Sequence, residues 1–256
     1  MSLRGRIIHT FLIAVGATFV VGIAEGESAV TESNVVRIIT TGEAGKINHG
    51  AGVVVKMDQN IVYILTALHN VETKEPIKDE IAVEFFDPPG KSVKVNKSTL
   101  NIRKRVGADL ALFDIQVTDF TPKGITPLSL DLVQLEINED IFRAIGHPHM
   151  PGNGWLSVSG RYSTIENDRY AFDINVSPGF SGGPVIRNGK VVALIVDVIG
   201  RFGYGVPAHT LSMFLKGQHI QVAESSERAS SNSTRDDDKC KLADPPITPC
   251  LFKVKK

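Results

Sequence analysis

The sequence predicts an all-β chain: two Greek-key β-barrels with a cleft between them, followed by a short C-terminal helix. Three observations predict it. Two sets of short segments rich in Val, Ile, Thr and Phe, similar in size, flank a central polar loop. Asn188-Gly189 stands between two apolar runs, the pairing that favours a tight hairpin, and Asn167-Asp168 reads as a second such turn. Only 210–216 has helical spacing, with Leu211, Phe214 and Leu215 on one face.

Taken in chain order, the first set comprises strands at 35–40, 52–57, 61–66, 81–86, 92–97 and 110–117, each bounded by turn formers. Thr118-Asp119-Phe120-Thr121-Pro122-Lys123-Gly124 then separates the two sets. The second set follows at 140–146, 155–162, 170–175, 183–187, 190–198 and 204–207. The barrels accordingly span about 33–120 and 125–222. With 256 residues, 42% hydrophobic, the chain can fill one large core or two small ones.

Both ends differ from this body. Arg4 and Arg6 precede an apolar run over 7–23, and Gly22-Ile23-Ala24 is a small-x-small site. That pattern reads as a signal peptide at 1–24, cleaved near Ala24, with a cut after Ala29 as a second option. Seventeen residues are short for a membrane span, so a retained anchor is the alternative reading. Either way the body of the protein is expected outside the cytoplasm, secreted or periplasmic, and contacts a membrane only if residues 7–23 are kept. Residues 25–32 form a short extension. From 223 to 256 the chain turns polar, with Ser, Asn, Asp and Arg dominating 224–239, the composition of a disordered linker. Cys240 and Cys250 are the two cysteines in the sequence, and in an oxidising compartment they would form one disulfide around a Pro-rich loop. Two free thiols in a loose tail is the other reading.

Charge and motif content exclude several classes. Twenty-eight basic and 28 acidic residues leave no net charge, and no basic stripe interleaved with aromatics points to nucleic acid. No phosphate-binding glycine loop, His-Glu-x-x-His or Cys-x-x-Cys occurs, so neither a metal nor a cofactor is expected. His147-Pro148-His149 supplies two imidazoles without a third ligand, in a Pro/Gly-rich loop.

Chemistry concentrates instead in Gly179-Phe180-Ser181-Gly182-Gly183-Pro184. A serine hydroxyl attacks a carbonyl only when a base removes its proton, and the oxyanion that forms needs donors already in place. Glycines around Ser181 allow a backbone path that points the N–H groups of Gly179 and Ser181 into one hole. The bland alternative is a glycine-rich turn. Two upstream motifs weigh against that reading. Thr66-Ala67-Leu68-His69-Asn70 follows an apolar strand, and Asp109 opens the strand Leu110-Ala111-Leu112-Phe113. His69 and Asp109 lie 40 positions apart, and Asp109 and Ser181 lie 72 apart, so only tertiary folding unites them. The order His, Asp, Ser is one of the known chain orders of a nucleophile–base–acid triad.

On these motifs the chain resembles the trypsin-like serine peptidases of the chymotrypsin fold, nearest to their disulfide-free bacterial branch of Deg-type and glutamyl endopeptidases. The similarity covers about 33–217. It rests on 66–70, 109–115 and 172–186, with weaker support from 50–55, 144–148 and 203–215. The resemblance implies peptide-bond hydrolysis through an acyl-enzyme, with Ser181 as nucleophile, His69 as general base then acid, and Asp109 orienting the imidazole. Gly179 and Ser181 would supply the oxyanion donors. It further implies a specificity pocket with Asn175 at its base and Val196, Asp197, Val198 and Gly205 in its walls. A neutral base disfavours Lys or Arg, because a buried ammonium needs a paired charge. A small or medium uncharged side chain is therefore expected. His209 offers a glutamate-binding alternative, set against plain exposure at a helix start.

Two departures stand out. Asn70 replaces the cysteine that vertebrate trypsins carry after the catalytic histidine, and no cysteine occurs before residue 240. Phe180 replaces the aspartate that receives a new amino terminus in many trypsins, so no insertion switch is expected. The functional expectation is an exported serine endopeptidase acting on protein or peptide substrates. A catalytically silent, peptidase-like binding protein is the alternative.

Overall fold

Alternating burial along the strands explains how two barrels and the seam between them share the same residues. In the computed structural model, residues 29–226 are described, apart from 43–44, 73–76, 138–140 and 149–153. The expected signal peptide, the expected Cys240–Cys250 disulfide and His149 lie outside the described residues.

The first barrel-like sheet has seven strands: β1 (Val35–Gly42), β2 (Ile47–Asp58), β3 (Ile61–Ala67), β4 (Ile77–Glu84), β5 (Ser92–Asn96), β6 (Arg103–Arg105) and β7 (Leu110–Gln116). Their order is β5-β4-β1-β2-β3-β7-β6. The second sheet comprises β8 (Ser129–Asp131), β9 (Ile141–Gly146), β10 (Leu156–Glu166), β11 (Arg169–Ile174), β12 (Pro184–Arg187), β13 (Lys190–Ile199), β14 (Phe202–Pro207) and β15 (Ala223–Ser225). Its order is β12-β9-β10-β11-β14-β13-β8-β15, and pairing of β12 with β13 closes it. Helix α1 (Ala208–Gly217) follows β14.

Because side chains alternate along a strand, β2, β3 and β7 bury both faces. Val54, Ile64, Ala111 and Phe113 point into the first barrel with Ile38, Val83 and Phe85. Their neighbours Val53, Leu65, Leu110 and Leu112 point out, against Leu130, Ile145, Leu194, Val206 and the α1 residues Leu211 and Leu215. A separate core of Phe142, Phe172, Ile174, Phe180, Val185 and Ile195 fills the second barrel. This double burial accounts for runs such as Ile64-Leu65 and Leu110–Phe113, which alternate poorly in the sequence. Polar stitches cross the seam as well. Trp155 Nε1 donates to the Val35 carbonyl (2.7 Å), and Asn34 Nδ2 donates to that of Thr126 (2.7 Å).

Both hairpin turns hold their expected form. Asn167 and Asp168 have φ of 50° and 60°, and Asn188 and Gly189 have 50° and 77°, the left-handed pair that suits a two-residue hairpin. The expected strands and helix are all present, with ends shifted by a few residues. Three strands are additions: β6, β8 and β15, of three residues each. Segments that short carry no periodicity, and their conformation is imposed by the partner strand. One correction follows for the polar tail: Ala223–Ser225 is a strand, parallel to β8, with Lys216 Nζ 2.8 Å from Glu224 Oε2. The extension also joins the body at its end, since Val30 is fully buried and its N–H donates to the Gly189 carbonyl.

Candidate active site

Strand register places the histidine beside the acid. β3 and β7 pair so that Ala67 faces Leu110, which brings Leu68 and His69 alongside Asp109. The chain leaves β3 through one 3-10 turn, Leu68–Asn70, that buries Leu68 and Asn70 and turns His69 outward. Asp109 closes another such turn, Val106–Ala108, with φ 56° and ψ 43°. Aspartate tolerates this left-handed conformation better than most residues. Three bonds then tie 109 to the histidine turn. The Leu68 N–H donates to the Asp109 carbonyl (2.9 Å), the His69 N–H to Asp109 Oδ1 (3.1 Å), and His69 Nδ1 lies 2.7 Å from Asp109 Oδ2. A carboxylate only accepts, so Nδ1 carries the proton and Nε2 presents a lone pair.

Ser181 lies at the centre of a tight loop between β11 and β12. Its first turn, Ser177–Phe180, is closed by Phe180 N–H to the Ser177 carbonyl (3.1 Å), with Pro178 second and Gly179 third at φ 106°. That is the residue pattern of a type II turn. Gly182 has φ 85°, and a Cβ there would sit 1.9 Å from the Ala51 carbonyl oxygen, so the loop presses directly on the first barrel. Ala51 N–H and Asn70 Nδ2 both donate to the Ser181 carbonyl, at 2.8 and 2.7 Å. Among the described residues, the N–H groups of Gly179 and Ser181 donate to no backbone carbonyl. A cleft of about 950 Å³ collects His69, Asp109, Gly179 and Ser181 in one wall-to-wall space.

A family model described as a trypsin-like peptidase domain matches residues 50–194, from β2 to β13, a span that includes His69, Asp109 and Ser181. The chain belongs to the trypsin-like peptidase family. No individually curated protein matches it.

Within this trypsin-like domain the two sequence departures acquire structural roles. Asn70 takes up the cross-barrel contact that its position allows. Its Nδ2 lies 2.7 Å from the Ser181 carbonyl, 3.0 Å from Thr66 Oγ1 and 3.3 Å from the Ala51 carbonyl, so two hydrogens are shared among three acceptors. Phe180 is fully buried in the second core, where a Cβ on Gly146 would lie 2.5 Å from its ring. Packing therefore anchors the loop from below, where an ion pair serves in peptidases with aspartate at this position.

The residues expected in the specificity pocket divide. Val196 and Asp197 line the cleft together with Ser181; Asn175, Val198 and Gly205 are not among its lining residues. Asn175 is exposed after β11. A Cβ on Gly203 would meet Val176 at 2.9 Å, and one on Gly205 would meet Ala193 at 2.9 Å, so both glycines pack closely on the second core. His209 is exposed on α1, away from the cleft lining. His147 is fully buried and lies edge-on to Trp155, ring centroids 4.8 Å apart, and neither ring nitrogen has a hydrogen-bond partner. Burial, with the Arg37 charge nearby, lowers its pKa from 6.5 to about 4, so the ring is neutral. Its backbone N–H donates to the Gly179 carbonyl (3.0 Å), which places it against the Gly179–Ser181 loop. No group of three or more His, Cys, Asp or Glu among the described residues is placed to hold a metal. Sequence reasoning passed over Arg169, which lines the cleft from the start of β11; a lone arginine beside a turn gives no signal.

Proposed function

We propose that this trypsin-like chain is a serine endopeptidase, working through Ser181, His69 and Asp109. His69 Nε2 takes the proton of Ser181 Oγ as the hydroxyl attacks the substrate carbonyl, and the N–H groups of Gly179 and Ser181 receive the oxyanion. The imidazolium, held by Asp109, then protonates the leaving amine, and water releases the acyl group by the same steps in reverse roles. The observation that carries this reading is the 2.7 Å contact of His69 Nδ1 with Asp109 Oδ2, in the cleft that also exposes Ser181. An imidazole oriented by a carboxylate in a cleft that a serine also lines has little structural use otherwise. The basic and apolar pattern of residues 4–24 supports export, and with it the Cys240–Cys250 disulfide.

Fluorophosphonate labelling tests the catalytic assignment. Wild type is expected to label and Ser181→Ala to remain unlabelled. Equal labelling of both proteins, or none of a folded wild type across several peptide substrates, would overturn the assignment, and the second outcome would favour a peptide-binding role.

A further inference from the structure

Four charged side chains besides Asp109 line the cleft: Lys46, Glu72, Arg169 and Asp197. Their commitments differ. Glu72 accepts from Lys104 Nζ at 2.9 and 3.0 Å. Asp197 accepts the Val198 N–H at 2.8 Å through Oδ1. Lys46 is exposed on the opposite, first-barrel wall. Arg169 is two-thirds covered, at 32% side-chain exposure, yet its nearest carboxylate oxygen is Asp197 Oδ2 at 3.8 Å, outside hydrogen-bonding reach. Its guanidinium makes no hydrogen bond among the described residues. A guanidinium offers five N–H donors in a flat fork whose shape matches a carboxylate.

Position selects which substrate group meets it. Arg169 shares its wall with Pro178, Gly179, Val196 and Asp197, all from the second barrel. The N–H groups of Gly179 and Ser181 mark where the attacked carbonyl oxygen would sit. Val196 and Asp197, which the resemblance assigns to the pocket for the residue bearing this carbonyl, line the same cleft as Arg169. Asn175, Val198 and Gly205 do not line the cleft, so the charged groups on this wall are Arg169 and Asp197. Within this pair the guanidinium, ion-paired with Asp197 at 3.8 Å, still has its N–H donors free of hydrogen bonds among the described residues.

We propose that Arg169 is a specificity-determining residue that receives an acidic side chain, glutamate or aspartate, on the residue whose carbonyl is attacked. This rests on the peptidase reading above. It departs from the uncharged preference that a neutral Asn175 implies, because Asn175 does not line the cleft. Asp197 tempers the preference: its carboxylate opposes the incoming one and holds the guanidinium in place at 3.8 Å.

The test is a matched pair of peptides that differ only in Glu or Gln at that residue. Charge-assisted contacts of this type correspond to about a tenfold to hundredfold preference in kcat/KM for Glu. Arg169→Gln is expected to collapse the Glu/Gln ratio to about one, and Asp197→Asn to raise it. A merely structural arginine would lower both rates together and leave the ratio where it was. The preference should also shrink with added salt, since the group is partly exposed. Ser181→Ala protein, which cannot turn over, reads the same contact as the relative affinity of the two peptides by fluorescence anisotropy. Loss of labelling and hydrolysis with a Glu preference retained in binding would sink the peptidase reading alone. Equal binding and turnover of Glu and Gln peptides, or a ratio that survives Arg169→Gln, would overturn the role of Arg169.

Discussion

Asp109 holds His69 at two points: Oδ2 lies 2.7 Å from the ring Nδ1, and Oδ1 accepts the backbone N–H of the same residue at 3.1 Å. Main chain and ring are thereby fixed together. Asp109→Asn tests this with little disturbance of the fold, because asparagine also tolerates the left-handed backbone at φ 56°. An amide nitrogen facing Nδ1 favours the wrong tautomer. A fall in kcat of about 10³–10⁴-fold is expected, with KM changed far less, by steady-state kinetics on a peptide substrate.

Asn70 ties Ser181 to the first barrel through its 2.7 Å bond to the Ser181 carbonyl. Asn70→Ala is expected to cost about 0.5–1.5 kcal/mol in chemical denaturation, since the Ser181 and Ala51 carbonyls keep the Ala51 N–H and Thr66 hydroxyl as donors, and to slow fluorophosphonate labelling. Asn70→Asp should be worse than alanine on both measures. A carboxylate there would face the Ser181 and Ala51 carbonyls with no hydrogen to offer.

Phe180 fills the second core beneath the nucleophile loop, and Phe180→Ala should destabilise by about 3–5 kcal/mol. The same burial replaces any need for a freed amino terminus. Proteins beginning at different positions before residue 29 are accordingly expected to label at equal rates. Activity that appears only after one defined cut would contradict this.

His147 gives stability a pH dependence of known sign. Its folded pKa of about 4 lies below the ordinary histidine value of 6.5, so the unfolded chain binds the proton first as pH falls. Stability is undiminished above about 6.5, declines as pH drops from there toward 4, and levels off below. The full loss is roughly 3 kcal/mol at about 1.4 kcal/mol per pKa unit. His147→Phe should remove this part of the decline. Denaturation curves for both proteins at intervals from pH 7 to 4 provide the check: a constant difference across that range would refute it.

How much of this was visible beforehand varies element by element. β3 and β7 were legible because Ile61–Thr66 is apolar and β-branched and Leu110–Phe113 is apolar throughout, beyond what a loop carries, and Asn188-Gly189 announced its hairpin through backbone preference alone. Arg103–Arg105 was not, because three basic residues have no β signature and extend only to pair with Leu110–Leu112. At the site, Ser181 and its glycines could be read locally, since a small loop needs positive φ at particular places. Asn70 could be read only as the absence of a cysteine, and Asn175 was assigned to a pocket it does not line.

The sequence by itself determined the two strand sets, the turns, the order of the three reactive residues and the glycine path around the serine. Those properties depend on local sterics and on alternation along a strand, which each segment carries alone. Tertiary structure alone decided that Phe180 and Val176 turn inward, that Asn70 bridges two barrels, and that Arg169 reaches the cleft without a hydrogen bond among the described residues. Each of these depends on which side chains compete for the same volume or the same hydrogen-bond acceptor, and those competitors lie tens of residues away in the chain.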